Sequence, residues 1–589
     1  MTVADESAKS LPDGFRHNER GAIEYRVARK DDEDERWEWL CSPLEIMAET
    51  RDADEKDWGL LVRIKARGGA GIWHTQIVKQ SLCVAESGEM FALLASLGLK
   101  ITPAKGGKDR LRALLSLASP GKLVRLASRI GWHGDNTFVL PDEAFGALSG
   151  EPIVFQMEHP VMHNYRRKGT FEGWRNEVAA RAAGNSRLIF GLSAAFAGPF
   201  LQPLNVEGGG FHLRGDSSTG KSTAFTWMGG SVWGGGSLAG FGQIWRGTDN
   251  GVESRAVLYS NTAMPLDELG MVSAAAASRI VYFLANGMGK ARAGIAGEAR
   301  PIAEFRILFL SSGEISLAVK LAEDGQKTMA GQEVRFIDLE ADAGAGMGTF
   351  ENTYGAAPNE FADIIQGACK AHYGHAAREF LKRLLADREA AMSEAKHLMG
   401  VFTHRFCPKQ PAAQVSRTAT RFALVAAAGE IATLWNILPW PSGTAMDAAG
   451  RMFREWHERR GTPGALEGAR ALEQVRAMIE KHGASRFVPV DETLRPLAPS
   501  TPVNNRLGYV RRAGDDDGGE VFYVLPEMFK NEICKGLDAA RVAKELIRAD
   551  ALIPGKDGKS SQSIRFPGLG QKRLYVVDGI KLSANEAAD

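Results

Sequence analysis

The sequence predicts a multidomain α/β chain built around a parallel sheet, and three stretches carry that prediction. Gly215–Ser222 spells G-x-x-x-x-G-K-S between a short apolar alternation, Phe211–Arg214, and a segment, Thr223–Met228, able to continue as a helix. About 45 residues on, Thr262–Glu268 is a mainly apolar run closed by two acids. Phe305–Ser312 is apolar nearly throughout, as strands buried on both faces of a parallel sheet are.

Strand, glycine-rich loop and helix in that order imply binding of a nucleoside triphosphate. Glycines let backbone N–H groups close on phosphate oxygens, and a helix start presents its unsatisfied donors and positive dipole end to the anion. Gly215, Asp216, Ser217, Ser218, Thr219, Gly220, Lys221, Ser222 and Thr223 are therefore the candidate ATP contacts. In that scheme Lys221 reaches the β- and γ-phosphates and Ser222 ligates Mg²⁺. An ordinary turn can satisfy the same string, so the flanking elements carry the reading.

Asp267 and Glu268 read as a Walker B pair. Asp267 would hold the magnesium and Glu268 would orient and polarise the attacking water. Adjacent acids also end ordinary strands entering solvent. Pro265 has no N–H to give a central ladder, so this strand is expected to bulge there or to pair on one side only. The third strand ends in Ser311 and Ser312, either of which is placed as the polar sensor that AAA+ ATPases carry at that tip; two serines also suit a turn before Gly313.

Between these strands, Asn286–Arg300 is rich in glycine and carries three cations, with no acid before Glu298. It reads as a hairpin whose basic tip suits a phosphate backbone when several copies face one pore, or else as a solvated loop.

Together these landmarks resemble the family catalogued as domain of unknown function 927, found in replication modules of phages, plasmids and chromosomal islands. The likeness runs from about Trp174 to Ala432. It rests on Phe211–Thr223, Trp245–Glu253, Leu266–Glu268, Asn286–Lys290, Leu310–Glu314 and Gly331–Arg335. The resemblance implies an AAA+ P-loop ATPase core similar to minichromosome-maintenance and superfamily-3 helicases. It further implies a homo-hexamer that uses ATP and Mg²⁺ on single-stranded or forked DNA beside other replisome proteins.

By the same resemblance, Lys290 or Arg292 touches DNA from a pre-sensor hairpin, Arg335 is an arginine finger, and Arg421, ahead of Arg417, is sensor 2. Each of these arginines could equally form a structural salt bridge. An alternative function is an initiator that uses ATP only to assemble at an origin. A primase is not expected, because the chain shows neither zinc cysteines nor an obvious acidic catalytic cluster.

At 589 residues a large core is assured. The net charge of +1 excludes a uniformly basic surface, so DNA contact must come from local patches. Five scattered cysteines indicate neither a zinc site nor a disulfide framework. No stretch suits a bilayer span or a signal peptide, so a cytoplasmic location without membrane partners is expected.

The expected layout is an α+β N-terminal domain over 1–150, a helical linker over 151–200, and the ATPase with its helical lid over 201–440. A linker over 441–470 and a winged-helix-like domain over 471–589 complete it. Alternations at Ile23–Val27, Leu60–Ile64 and Thr137–Leu140 predict strands, and 88–97 and 108–117 predict helices. Asp31–Glu35 reads as a solvated turn, and Trp73 and Trp132 as core residues or base-stacking platforms.

Overall fold

The computed structural model describes residues 11–27, 36–67, 71–146, 151–155, 163–235, 240–247, 249–289, 302–326, 328–460, 465–497, 505–512 and 519–584. The acidic run Asp31–Glu35 and both candidate DNA contacts, Lys290 and Arg292, lie outside them. The chain divides into two compact units, Met1–Trp456 and His457–Asp589. No helix among the described residues is long and apolar enough to cross a membrane.

At the start of the first unit, Ile23–Val27 is the middle of a three-stranded antiparallel sheet. Leu44–Arg51 belongs to a five-stranded mixed sheet and is buried at every second residue from Leu44, the period of a strand with one face in a core. Helices Glu89–Ser96 and Gly107–Leu117 cover that core with Met90, Leu94, Leu111 and Leu114 against Ile46, Val62 and Ile64. The expected strands and helices are present within a residue or two. Trp132 is buried, its Nε1 donating to the Pro199 carbonyl at 2.7 Å, and the half-buried Trp73 lies under the Arg63 guanidinium. The Trp132 ring is thus closed to stacking.

The larger core of this unit surrounds five parallel strands, β1 (Gly209–Arg214), β2 (Gln243–Ile244), β3 (Ala263–Asp267), β4 (Leu308–Gly313) and β5 (Phe336–Glu340). Their spatial order is β5-β1-β4-β3-β2, with every neighbouring pair parallel. All carboxyl ends therefore meet at one edge. Pro265 pairs with Leu310 of β4 on one side, while the two-residue β2 opposes only Leu266 and Asp267 on the other. One-sided pairing thus resolves the missing donor. Strand β4 begins three residues later than expected, and β2 and β5 carry no strong strand signal of their own.

Helix α1 (Ser186–Ala197) is buried along its whole length, which its apolar sequence permits on every face. It runs against α4 (Ala413–Leu434), where a Cβ on Gly429 would meet Ser193 Oγ at 2.3 Å, so the glycine sets how closely the two helices approach. Between them in sequence come α2 (Ala274–Asn286) and the short α3 (Ala330–Arg335), and after them α5 (Thr444–Arg460). After the P-loop the expected helix is present and wide, with π-type turns over Thr223–Gly229.

In the second unit, Gly508–Arg512 and Glu520–Val524 form the expected antiparallel pair, and Asp538 caps α6 (Ala539–Arg548) by accepting from Ala540 N at 2.9 Å. The hairpin of β6 (Gln562–Phe566) and β7 (Gly570–Asp578) follows. The sheet is larger than the sequence suggests, because Phe487–Val490 adds a strand parallel to Gly508–Arg512.

Candidate nucleotide site

The shared edge of the parallel sheet gathers the predicted phosphate loop and the acids. The loop leaves β1 at Arg214, whose guanidinium is tied to Asp338 at 3.2 Å and Glu340 at 2.8 Å on β5. Its back rests on the segment after β5: Thr349 N and Oγ1 donate to the Thr219 carbonyl at 2.8 and 2.9 Å. A Cβ on Gly220, where φ is +91°, would meet Thr349 Oγ1 at 2.2 Å, so this position needs glycine for both conformation and space. Ser218 also adopts a left-handed conformation, at φ +62°. Among the described residues, no acceptor lies against the backbone N–H groups of Ser217, Ser218 or Gly220. Exposed donors ahead of a helix start fit a phosphate chain.

Lys221 is the first residue of that helix, and its Nζ donates to the carbonyls of Gly215, at 2.9 Å, and Asp216. Burial holds its ammonium below the usual value, opposed by Glu314, Glu268, Asp267 and Asp216. Ser222 Oγ donates to Asp267 Oδ1 at 3.0 Å, and Ser312 Oγ donates to the same oxygen. A hydroxyl and a carboxylate are the hard oxygen donors that Mg²⁺ prefers, so Ser222 and Asp267 fit that ion. Thr223 is turned away from the loop, buried, with its hydroxyl accepting from Gln366 at 3.4 Å.

Glu268 sits just past β3 with φ +62° and ψ +73°, a left-handed conformation that costs a non-glycine residue roughly 1 kcal/mol. Burial and the neighbouring Asp267 and Glu314 carboxylates push its carboxyl above the usual range, while Lys221 and the Gly270 backbone oppose them. A carboxylate so perturbed beside a phosphate loop is a candidate base.

The two serines at the tip of β4 separate cleanly, because successive strand residues face opposite ways. Ser312 faces Asp267. Ser311 faces the interior, where its hydroxyl meets His212 Nδ1 at 2.8 Å and accepts from Trp245 Nε1 at 2.9 Å. His212 is fully buried, stacks on Phe336, and uses Nε2 toward the Ile315 carbonyl at 3.0 Å; burial pushes its imidazole down to about 4. Sequence reasoning misses His212 and Trp245, since a lone histidine or tryptophan in an apolar stretch reads as core. It also misses Glu314, although an acid just past a strand of a parallel sheet falls on the edge where ligands bind.

The two arginines assigned by resemblance lie at the opposite edge. Arg335 ends α3, half-buried, donating to the Gly331 carbonyl at 3.2 Å with its guanidinium 5.9 Å from the Tyr282 ring centroid. Arg421, expected as sensor 2, lies away from its own loop. It is 2% exposed, donates to the carbonyls of Val334 and, at 2.8 Å, Gly208, and is pushed down to about 10 by burial. Those carbonyls mark the amino ends of β5 and β1, about 20 Å of strand from the loop. Arg421 thus latches α4 to the sheet. Met288 and Glu304, at the two ends of the basic stretch, pair antiparallel, and Gly289 N donates to the Ala303 carbonyl at 2.7 Å.

Residues 15–304 match the family described as "Domain of unknown function (DUF927)". The match takes in the N-terminal sheets and stops before β4, so it begins earlier and ends earlier than the resemblance read from the motifs. A solved structure titled "SCCmec type IV Cch - active helicase" shares the fold at a TM-score of 0.68 and 17% identity, covering 97% of this chain and 99% of that one. "The A form apo structure of NrS-1 C terminal region" aligns at a TM-score of 0.23 and 10% identity, covering 61% and 77%. No curated protein matches.

Arg421→Ala leaves two buried carbonyls without a donor and should destabilise the first unit by about 3 kcal/mol, read as a lower melting temperature, while ATP affinity of the folded protein is unchanged; weaker ATP binding with unchanged melting would restore the sensor role. His212 has a folded pKa below its unfolded value of about 6.5, so its contribution is intact above that value and is lost as pH falls from about 6.5 toward 4. Denaturant titrations between pH 7.5 and 4.5 should show that acid loss, and a folded His212→Gln variant should show a shallower one.

Proposed function

We propose, on the premise that the match of residues 15–304 to the DUF927 family model places the chain in that family, that it is an ATP-driven DNA helicase. In this reading it is a hexameric AAA+ translocase that serves replication of a phage or other mobile element. The gathering of Lys221, Ser222, Asp267, Glu268 and Ser312 at one edge of a parallel sheet carries the reading. The strand order supports the AAA+ assignment, since the strand tipped by Ser312 stands between the P-loop strand and the acid strand. The shared fold of a structure whose title names an SCCmec helicase supports the DNA side. The expected domain layout, with its winged-helix-like end, belongs to the same proposal.

The backbone of Gly215–Gly220 would cradle the phosphates of ATP, with Lys221 leaving its loop carbonyls for the β- and γ-phosphoryl oxygens. Ser222 and Asp267 would hold Mg²⁺, which supplies charge neutralisation on those oxygens. Glu268 orients water and takes its proton; its raised carboxyl pKa brings it nearer the pH at which a general base works best. Ser312 fixes Asp267 and stands by to read the phosphate group. Arg335 points away from its own loop and would serve the nucleotide of an adjoining copy. The basic stretch holding Lys290 and Arg292 would then shift along a strand in the central channel.

Glu268→Gln should lower ATP turnover at least about 100-fold while retaining ATP binding, and Lys221→Ala should lose both; steady-state hydrolysis beside nucleotide titration measures this, and unchanged turnover in either variant refutes the site. Arg335→Ala should lower turnover by about 1000-fold with ATP affinity kept. Mixing it with Lys221→Ala protein should restore part of the activity, because one variant brings an intact loop and the other an intact finger. No recovery on mixing, in samples shown to form mixed assemblies, would refute a site shared between copies.

A further inference from the structure

The second unit carries a basic trough that neither the ATPase reading nor the family match covers. A cavity of about 600 Å³ opens between the segment Lys530–Leu537, the first turn of α6 and Tyr575 of β7. Its rim holds Lys530 and Lys535, both exposed. Two surfaces continue from it. Along α6, Ala540 lines the cavity, and positions 544 and 548 repeat at intervals of four on the same helix face. These are Lys544 and Arg548, both exposed, with Arg548 paired to Glu545 at 2.7 Å.

Along β7, alternate residues share one side of the sheet. Val577 packs into the helical core with Phe529, Val542 and Leu546, so this is the side that the helices cover. Tyr575 forms the cavity floor and Arg573 follows it outward, exposed. Gln571 comes next, and its cross-strand partner on β6 is Arg565, which therefore shares that side. From Arg541 to Arg573 the sequence has eight basic and three acidic residues, a local excess within a chain of net charge +1. Among the described residues, no ion pair engages Lys530, Lys535, Lys544 or Arg565. The one acid in the cavity, Asp538, is turned to its own helix as the cap.

We propose that this trough is a docking site for duplex DNA, with the cations of α6 on one wall and those of the β6–β7 hairpin on the other set against the two phosphate backbones. A duplex is favoured over a single strand because single strands need open aromatic faces on which bases stack. The one aromatic ring of the trough, Tyr575, has a face already covered by Phe529 at 4.0 Å. A ten-residue helix is also about 15 Å long and slender enough for a major groove about 12 Å wide. The proposal stands whether or not the chain hydrolyses ATP.

Full-length protein carrying Lys221→Ala, without nucleotide, is titrated against a short labelled blunt duplex at several salt concentrations and against a single strand of the same length. Adding Lys544→Ala, Arg565→Ala and Arg573→Ala should weaken duplex binding about 10-fold or more and flatten the salt dependence by about 0.9 in logarithmic slope for each phosphate no longer neutralised. Replacing the same three by Arg, Lys and Lys should keep binding, and melting curves of both triple variants confirm folding. Unchanged duplex affinity and slope in the folded alanine variant overturn the site. So does tighter binding of the single strand that weakens in parallel. Failure of the ATPase assays leaves this result unaffected, so the two readings fall separately.

Discussion

One carboxylate oxygen, Asp267 Oδ1, accepts hydrogen bonds from the hydroxyls of Ser222 and Ser312. Those three residues come from the start of the wide helix, the end of β3 and the tip of β4, so a single atom registers the loop, the acid strand and β4. Parallel pairing makes such a point possible, because only in an all-parallel sheet do all strand ends converge on one edge. The one-sided pairing at Pro265 is tolerated for the same reason: β2 is needed only opposite Leu266 and Asp267, where the carboxylate must be held in place.

The loop is braced from behind as well. Arg187, 1% exposed, reaches Glu455 of α5 at 2.6 Å and the Asp342 carbonyl at 2.8 Å, while Arg451 of α5 holds Glu351 and, at 2.7 Å, the Ala343 carbonyl. Burying a guanidinium is unfavourable unless it is paired and hydrogen-bonded, as every nitrogen of Arg187 is. The segment between β5 and Glu351 is thereby clamped. Its Thr349 fixes the Thr219 carbonyl, which leaves the loop N–H groups directed outward with little reorganisation required on binding.

The phosphate loop and both acids are legible in the sequence because their chemistry imposes local order: glycines at fixed spacing, a lysine, an apolar strand closed by carboxylates. The same holds for the helices around the core, where apolar spacing is local. Strands β2 and β5 are not legible, since two residues and a mixed FIDLE stretch have no periodicity until neighbours pair with them. Ser311 and Ser312 cannot be told apart without the fold, because the choice depends on which side of β4 faces the acid strand. Arg421 misleads for a similar reason. A guanidinium in a helix looks alike whether it faces a phosphate or two buried carbonyls, and only the placement of Gly208 and Val334 distinguishes them.

On the proposed ATPase reading, the two edges of the sheet bear on how hydrolysis would be completed. Charge that spreads over phosphoryl oxygens in the transition state calls for a cation beyond Lys221. On the loop's own edge, Arg214 is held by Asp338 and Glu340, and Arg246 closes β2 three strands, about 14 Å, from β1. Among the described residues, Arg335 has only a carbonyl and an aromatic ring as partners, yet stands at the far edge. A residue placed so far from its own loop acts on a triphosphate only if another copy brings its loop to that side. If Arg335 is the finger proposed above, the arrangement favours a head-to-tail ring over a symmetric dimer, since loop edge and finger edge then differ and each must meet its complement.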